Sequence, residues 1–205
     1  MNNSLKRFLF SACMSIGLVT SLFAQDVTIT IKSDEKSAVE VKKEVKPPFA
    51  GTRPAVDVAI LLDTSNSMDG LIDQAKSQLW TIVQQFAKAE KAGKTPQLRV
   101  SVFEYGNSKL PASEDYIRQV VQLTDDLDSV SEALFSLKTK GGDEYCGTVI
   151  KEAVERLDWS GKANSYKAIF IAGNEPFTQG PTNYKDGCKA AIENGITVNL
   201  SLIHI

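Results

Sequence analysis

From Val56 onward the apolar residues follow two alternating rhythms. Residues 56–62 form an apolar run broken only by Asp57, the pattern of a strand buried on both faces. Leu71, Ile72, Ala75, Leu79, Ile82, Val83 and Phe86 then recur at helical spacing. Gly93 and Pro96 stop that helix. Residues 98–105 predict a second strand and 116–123 a third. The stretch 106–115 between them has no room for a crossover helix, so these two strands should pair antiparallel. Leu127, Val130, Leu134 and Leu137 mark a second helix, and Val149, Ile150, Ala153, Val154 and Leu157 a third. Another buried strand is predicted over 166–172, a helix over 184–194 and a last strand over 196–200. The order β-α-β-β-α-α-β-α-β predicts an α/β fold, a doubly wound, mainly parallel sheet with one antiparallel edge strand. Such sheets bind ligands beyond the carboxyl ends of their strands. The loops after Leu62 and Ala172 are therefore the first to search, and the glycine- and acid-rich loop after Leu137 is the third.

The first 54 residues do not share this rhythm. Residues 1–24 carry Lys6 and Arg7, then an apolar run over 8–23, then Ala24. This is the layout of a secretory signal peptide, cut before Gln25. The run holds several Ser and Thr and is short for a membrane span. Residues 25–54 combine a short alternating stretch at 27–31, a mixed charge run and Pro47-Pro48, and read as a linker or N-terminal arm. Residues 55–205 are the domain. The expected product is exported, to the periplasm or the exterior, with no membrane span in its mature chain.

Composition narrows the chemistry. With 42% hydrophobic and 23% charged residues, the chain is globular in character. Its formal charge is −2, and losing a leader with two cations and no acid takes it to −4. Without a basic excess, nucleic acid is not an expected partner. One histidine and three cysteines exclude a His-rich or four-cysteine metal site. Cys13 lies in the leader. Cys146 and Cys188 remain, candidates for a disulfide in an oxidising compartment, with two independent thiols as the alternative. Such a bridge would constrain the unfolded chain by roughly 3–4 kcal/mol.

The three loops carry oxygen donors. After the first strand comes Asp63-Thr64-Ser65-Asn66-Ser67-Met68-Asp69-Gly70, with a carboxylate and two hydroxyls at alternating positions. These are hard ligands suited to Mg²⁺ or Ca²⁺. The plain alternative is a Ser/Asp cap of the following helix. The loop after Leu137 holds Gly141 and Gly142, then Asp143 and Glu144 just before a helix. Acids also favour a helix start through its dipole. The loop after Ala172 adds Asn174 and Glu175.

Residues 58–68, ending Asp63-Thr64-Ser65-Asn66-Ser67-Met68, resemble the Asp-x-Ser-x-Ser opening of a von Willebrand factor type A domain. The resemblance extends over 55–199 and includes the strand order, the antiparallel edge hairpin and the Gly-Gly loop. It implies a Rossmann-like fold and a metal-ion-dependent adhesion site, at which a divalent cation (Mg²⁺, or Mn²⁺ or Ca²⁺) keeps one position open for an acidic side chain of a protein partner. Asp63, Ser65 and Ser67 match that motif directly. Where the family has a Thr after the Gly-rich stretch, this chain has Asp143. Where the family has an Asp after the fourth main strand, this chain has Asn174. One swap adds a carboxylate and the other removes one, so the expected metal set is Asp63, Ser65, Ser67, Asp143 and Asn174. Asp69, Glu144 and Glu175 are accessory candidates, and the last two oppose capture of an acidic ligand.

An enzyme is not expected. Asp63-x-Ser65 also resembles the nucleophile loop of haloacid-dehalogenase-like phosphatases, but Ser65 stands where their second Asp belongs. His204, the one histidine, has no evident Ser or Cys partner, and no Gly-x-x-x-x-Gly-Lys loop is present. A metal-independent scaffold is the other non-enzymatic alternative. Sheets of this family continue past the 196–200 strand with a helix, often with a further strand and helix. The chain is therefore expected to be truncated at its C-terminus, with residues 200–205 resembling read-through from a cut gene.

Overall fold

A computed structural model describes residues 53–90 and 93–202, together with the backbone of a short strand pair nearer the N-terminus. That pair, β1 (Thr28–Ile29) and β2 (Lys43–Glu44), is antiparallel, with Thr28 opposite Glu44. It belongs to a separate unit, residues 1–52. The leader expected at 1–24, the rest of the arm up to residue 52, and residues 203–205 lie outside the described residues.

The second unit starts at Arg53. Its elements are β3 (Ala55–Asp63), α1 (Ile72–Lys88), β4 (Gln97–Tyr105), β5 (Ile117–Thr124), α2 (Leu127–Ser136), α3 (Cys146–Arg156), β6 (Ser165–Gly173), α4 (Tyr184–Glu193) and β7 (Thr197–Leu202). The sheet order is β5-β4-β3-β6-β7. Strand β3 runs parallel to β4 and β6, β6 runs parallel to β7, and β5 alone is antiparallel, on the edge beside β4. The predicted element order and the antiparallel hairpin are both present.

Every residue of β3 is buried, because helices cover both sheet faces. Period-two alternation divides the strand between two cores. Val56, Val58, Ile60 and Leu62 join Leu71, Ala75, Leu79 and Val83 beside α1, and Val130 and Leu134 of α2. Ala59 and Leu61 join Val149, Ile150 and Ala153 of α3 and Ala191 of α4. On this second face the helices nearly touch. A Cβ built on Gly187 would lie 2.7 Å from the Gly147 carbonyl oxygen, so only glycine permits the crossing.

Three of the charged groups buried within the fold are matched to specific partners. Asp57, the break in the apolar run, accepts two hydrogen bonds from the Arg99 guanidinium, each 2.8 Å, and a third from the Ser160 amide at 2.6 Å. Glu104 pairs with Arg118 at 2.6 Å. Lys76, on the inner side of α1, donates to the Leu137 carbonyl at 2.7 Å and the Phe135 carbonyl at 3.4 Å. These are carbonyls left open where α2 ends. Lys76 thus ties α1 to the start of the loop that leads to α3.

The chain leaves β3 toward β4 and β5 on one side, then crosses back to β6 and β7 on the other. The carboxyl ends of β3 and β6 therefore flank the switch point, where the connecting loops diverge and leave a crevice.

Candidate functional site

Asp63 is the last residue of β3 and has no exposed surface. Its Oδ1 accepts the Ser65 amide at 2.8 Å, which bends the chain sharply off the strand. Oδ2 is buried and has no hydrogen-bond partner. The bend brings the Ser65 and Ser67 hydroxyls within 2.8 Å of each other. Asn174, the first residue past β6, grips Ser67 twice. Its Oδ1 accepts from Ser67 Oγ at 2.9 Å, and its Nδ2 donates to the Ser67 carbonyl at 3.0 Å. A carboxylate at position 174 could not make the second bond. The amide therefore locks the first loop onto the end of β6.

The loop after α2 closes the opposite side. The Lys140 amide donates to the Thr64 carbonyl at 2.9 Å, and Thr139 Oγ1 donates to Asp69. Asp69 is thereby held at the exposed rim and takes no part in the inner cluster. Asp143 is also exposed, and its interaction is with the neighbouring Tyr145. Glu144 is the residue that turns inward. It is 7% exposed, and the Ser65 hydroxyl nearby favours its charged form. Gln179 brackets it from the loop after β6, its Oε1 accepting the Glu144 amide at 3.3 Å. Glu175 is half-buried nearby and raises the negative potential at Asp63.

Sequence patterning did not single out two parts of this site. One is the loop after β4, which the 106–115 connection had explained only as a hairpin link. Gly106 is buried at φ +78°, and a Cβ there would lie 3.0 Å from Asp63 Oδ1, 3.2 Å from Glu144 Cγ and 3.3 Å from Ser65 Cβ. Its bare Cα is the wall that leaves room for the two acids. Asn107 follows and donates to the Lys138 carbonyl at 3.0 Å and to Thr64 Oγ1 at 3.4 Å. A Gly-Asn pair directly after a buried strand was a usable turn signal. The other part is Gln179, for which local sequence offers no signal.

Hydrogen-bond donors and acceptors in the crevice do not balance. The Ser65 hydroxyl carries one proton. The carboxylates of Asp63 and Glu144 and the Ser67 oxygen all converge on it, and Ser67 spends its own proton on Asn174. Lone pairs outnumber donors. No Lys or Arg among the described residues pairs with Asp63 or Glu144, whereas the other two buried acids, Asp57 and Glu104, each have an arginine. Burial, reinforced by Glu144 and Glu175, pushes the Asp63 carboxyl up to about 6 despite the Ser65 hydrogen bonds. Burial raises Glu144 too, against its bonds from Ser65 and Gln179. The donors are carboxylate, hydroxyl and amide oxygens, a set that fits Mg²⁺, Mn²⁺ or Ca²⁺ rather than a soft metal. Among the described residues, no three His, Cys, Asp or Glu side chains gather into a metal cluster, so hydroxyl and amide oxygens would have to complete the shell.

The shift at Asp63 has a consequence for metal-free protein. A carboxyl at 3.8 unfolded and about 6 folded favours the folded state most below pH 4. That stabilisation is lost as pH rises through 6, and amounts to on the order of 3 kcal/mol. Urea unfolding in EDTA should therefore show a midpoint falling between pH 4 and pH 7. The slope should flatten in Asp63→Asn; an equal slope in both proteins would count against it.

A von Willebrand factor type A domain model matches residues 57–200, more than half of the chain. The chain belongs to the von Willebrand factor type A (VWA) family. Solved structures agree on the fold. The SpRpn10 VWA domain superposes with a TM-score of 0.54 at 14% identity, covering 71% of this chain and 74% of that one. Proximal thread matrix protein 1 from the mussel byssus also gives 0.54 at 14% identity, over 72% of this chain and 35% of the mussel chain. Comparison with curated protein sequences returned no significant match. VWA domains commonly mediate protein–protein interaction and adhesion.

Two further features of this VWA domain bear on its chemistry. Cys146 and Cys188 are free thiols, and the expected bridge is not formed here. Cys146 opens α3 facing inward, its Sγ 3.7 Å from the Tyr105 hydroxyl, and burial pushes its thiol up to about 12, far from a reactive thiolate. Cys188 packs at the margin of the same core. A groove of about 440 Å³ lies at the opposite end of the sheet, lined by Gln97, Arg99, Asp158, Trp159 and Lys162. Its arginine is committed to Asp57, and Lys162 Nζ lies 3.5 Å from Gln97 Oε1 across the groove.

Proposed function

We propose that this chain is an exported VWA interaction domain that binds a protein partner through the crevice at Asp63, with a divalent cation held by the chain's own oxygens. The observation that supports the cation is the pair of buried carboxylates, Asp63 and Glu144, which line the space beside Gly106 with no ion-pair partner among the described residues. Burying two like charges is costly, and elsewhere this fold pairs each buried acid with an arginine. Asp63, Ser65 and Ser67 would be the core of the metal set. Asn174 would act through Ser67, and Asp143, exposed at the rim, would meet the metal only through a move of its loop. Mg²⁺ is the expected physiological ion, with Mn²⁺ or Ca²⁺ as substitutes. The cation would supply a fixed positive charge that orients polar groups. The N-terminal leader pattern supports export, and among the described residues no helix is long and apolar enough to cross a membrane.

A second reading has one observation in its favour. The grip of Asn174 on Ser67 shapes the first loop without a cation, which suits metal-independent docking. Calorimetric titration of EDTA-treated protein with Mn²⁺ separates the two. The metal reading expects saturable binding at one site per chain; no heat up to millimolar Mn²⁺ leaves only the scaffold.

A further inference from the structure

The position of Glu144 bears on what such a metal would leave free for a partner. We propose that Glu144 is a built-in ligand that closes the cation's shell from within, so that the loaded site turns away acidic groups and presents itself to neutral or basic ones. This rests on the metal reading above and goes beyond it to the chemistry of the partner.

Three observations carry it. Glu144 is 7% exposed, and a Cβ built on Gly106 would lie 3.0 Å from Asp63 Oδ1 and 3.2 Å from Glu144 Cγ, so both acids line the same small space. Asp63 is fully buried, and its Oδ2 has no partner and so has a free lone pair. Gln179 Oε1 accepts the Glu144 amide at 3.3 Å, so the backbone that carries this inward carboxylate is held from a different loop. Charge then decides the outcome. One divalent cation with two carboxylates is neutral, and Glu175 and the exposed Asp143 add negative charge at the rim. An external carboxylate would approach a neutral-to-negative site and would have to displace a tethered one. A tethered group competes at a high effective concentration. A basic or neutral polar side chain meets no such barrier.

The test uses Mn²⁺-loaded full chain and acetate as the acid probe. Bound Mn²⁺ broadens the NMR signal of any acetate that reaches it. Wild type is expected to bind one Mn²⁺ and to leave acetate sharp. Glu144→Gln should weaken Mn²⁺ by about tenfold, within the range for loss of a supporting ligand group, yet broaden acetate strongly once loaded. Gln179→Ala should retain Mn²⁺ and broaden acetate to an intermediate degree, because it frees Glu144 without removing it. Equal acetate broadening in wild type and Glu144→Gln overturns the proposal while leaving the metal reading intact, provided Asp63→Asn loses Mn²⁺. Failure of wild type to bind Mn²⁺ overturns both.

Discussion

Asp63→Asn is expected to lower Mn²⁺ or Mg²⁺ affinity on the order of 100-fold or more, since even outer ligand partners cost 10–100-fold when removed. The same substitution should leave metal-free protein at least as stable as wild type at pH 7. The two effects have one cause. Asp63 has no exposed surface, and Oδ2 is buried without a partner. An anion in that position is costly without a counter-charge and valuable beside a cation. The isosteric amide keeps the Oδ1 acceptor for the Ser65 amide, so the loop bend survives. Calorimetry reads the first effect, and urea unfolding in EDTA the second. A variant that binds metal like wild type would remove Asp63 from the site. A variant that unfolds more easily than wild type in EDTA would show that the carboxylate serves the fold rather than the ion.

The second large effect lies at the other end of the same strand. Asp57→Ala should destabilise the domain by about 3 kcal/mol, at the lower end of what loss of one partner from a buried pair costs. Asp57 is fully buried and receives three hydrogen bonds, two from Arg99 and one from the Ser160 amide. Removing it leaves that amide without its acceptor, and Arg99 with only the Asp158 carbonyl at 2.9 Å. Arg99 is 26% exposed, so water offsets part of the loss. A lower urea midpoint with an unchanged slope and unchanged metal affinity is the expected result. An unchanged midpoint would mean that water replaces the pair in full.

The two acids of β3 show how differently a sequence exposes its meaning. Asp57 broke an otherwise apolar run and could be read only as an exception. Its partner Arg99 is 42 residues away, brought alongside by the parallel register that places Asp57 beside Arg99. Asp63 was legible, because it stands at the end of a buried strand with Ser65 and Ser67 at alternating positions. Asn174 was legible for the same reason, at the end of β6. The Gly106 wall could have been inferred from the Gly-Asn turn after β4. The roles of Asp143 and Glu144 could not be separated locally, because neighbours in a loop have no periodicity to say which faces in. Packing makes that choice. Gly142 lies so close to the loop after β4 that a Cβ on it would come within 2.5 Å of the Gly106 carbonyl oxygen, and from that approach Asp143 turns to solvent and Glu144 into the crevice.

The sequence alone therefore determined the alternation of strands and helices, the antiparallel edge, the switch-point crevice and the first-loop oxygens. Each of these follows from local periodicity or from a strand end, and burial imposes periods of two and 3.6 directly on the residues. Only the tertiary structure decided that Glu144 joins Asp63, that Gln179 holds its amide, that Asn174 clamps Ser67, and that no Lys or Arg among the described residues pairs with either acid. Those facts depend on which loops meet at one sheet edge, and side chains far apart in sequence meet only after the strands have set their register.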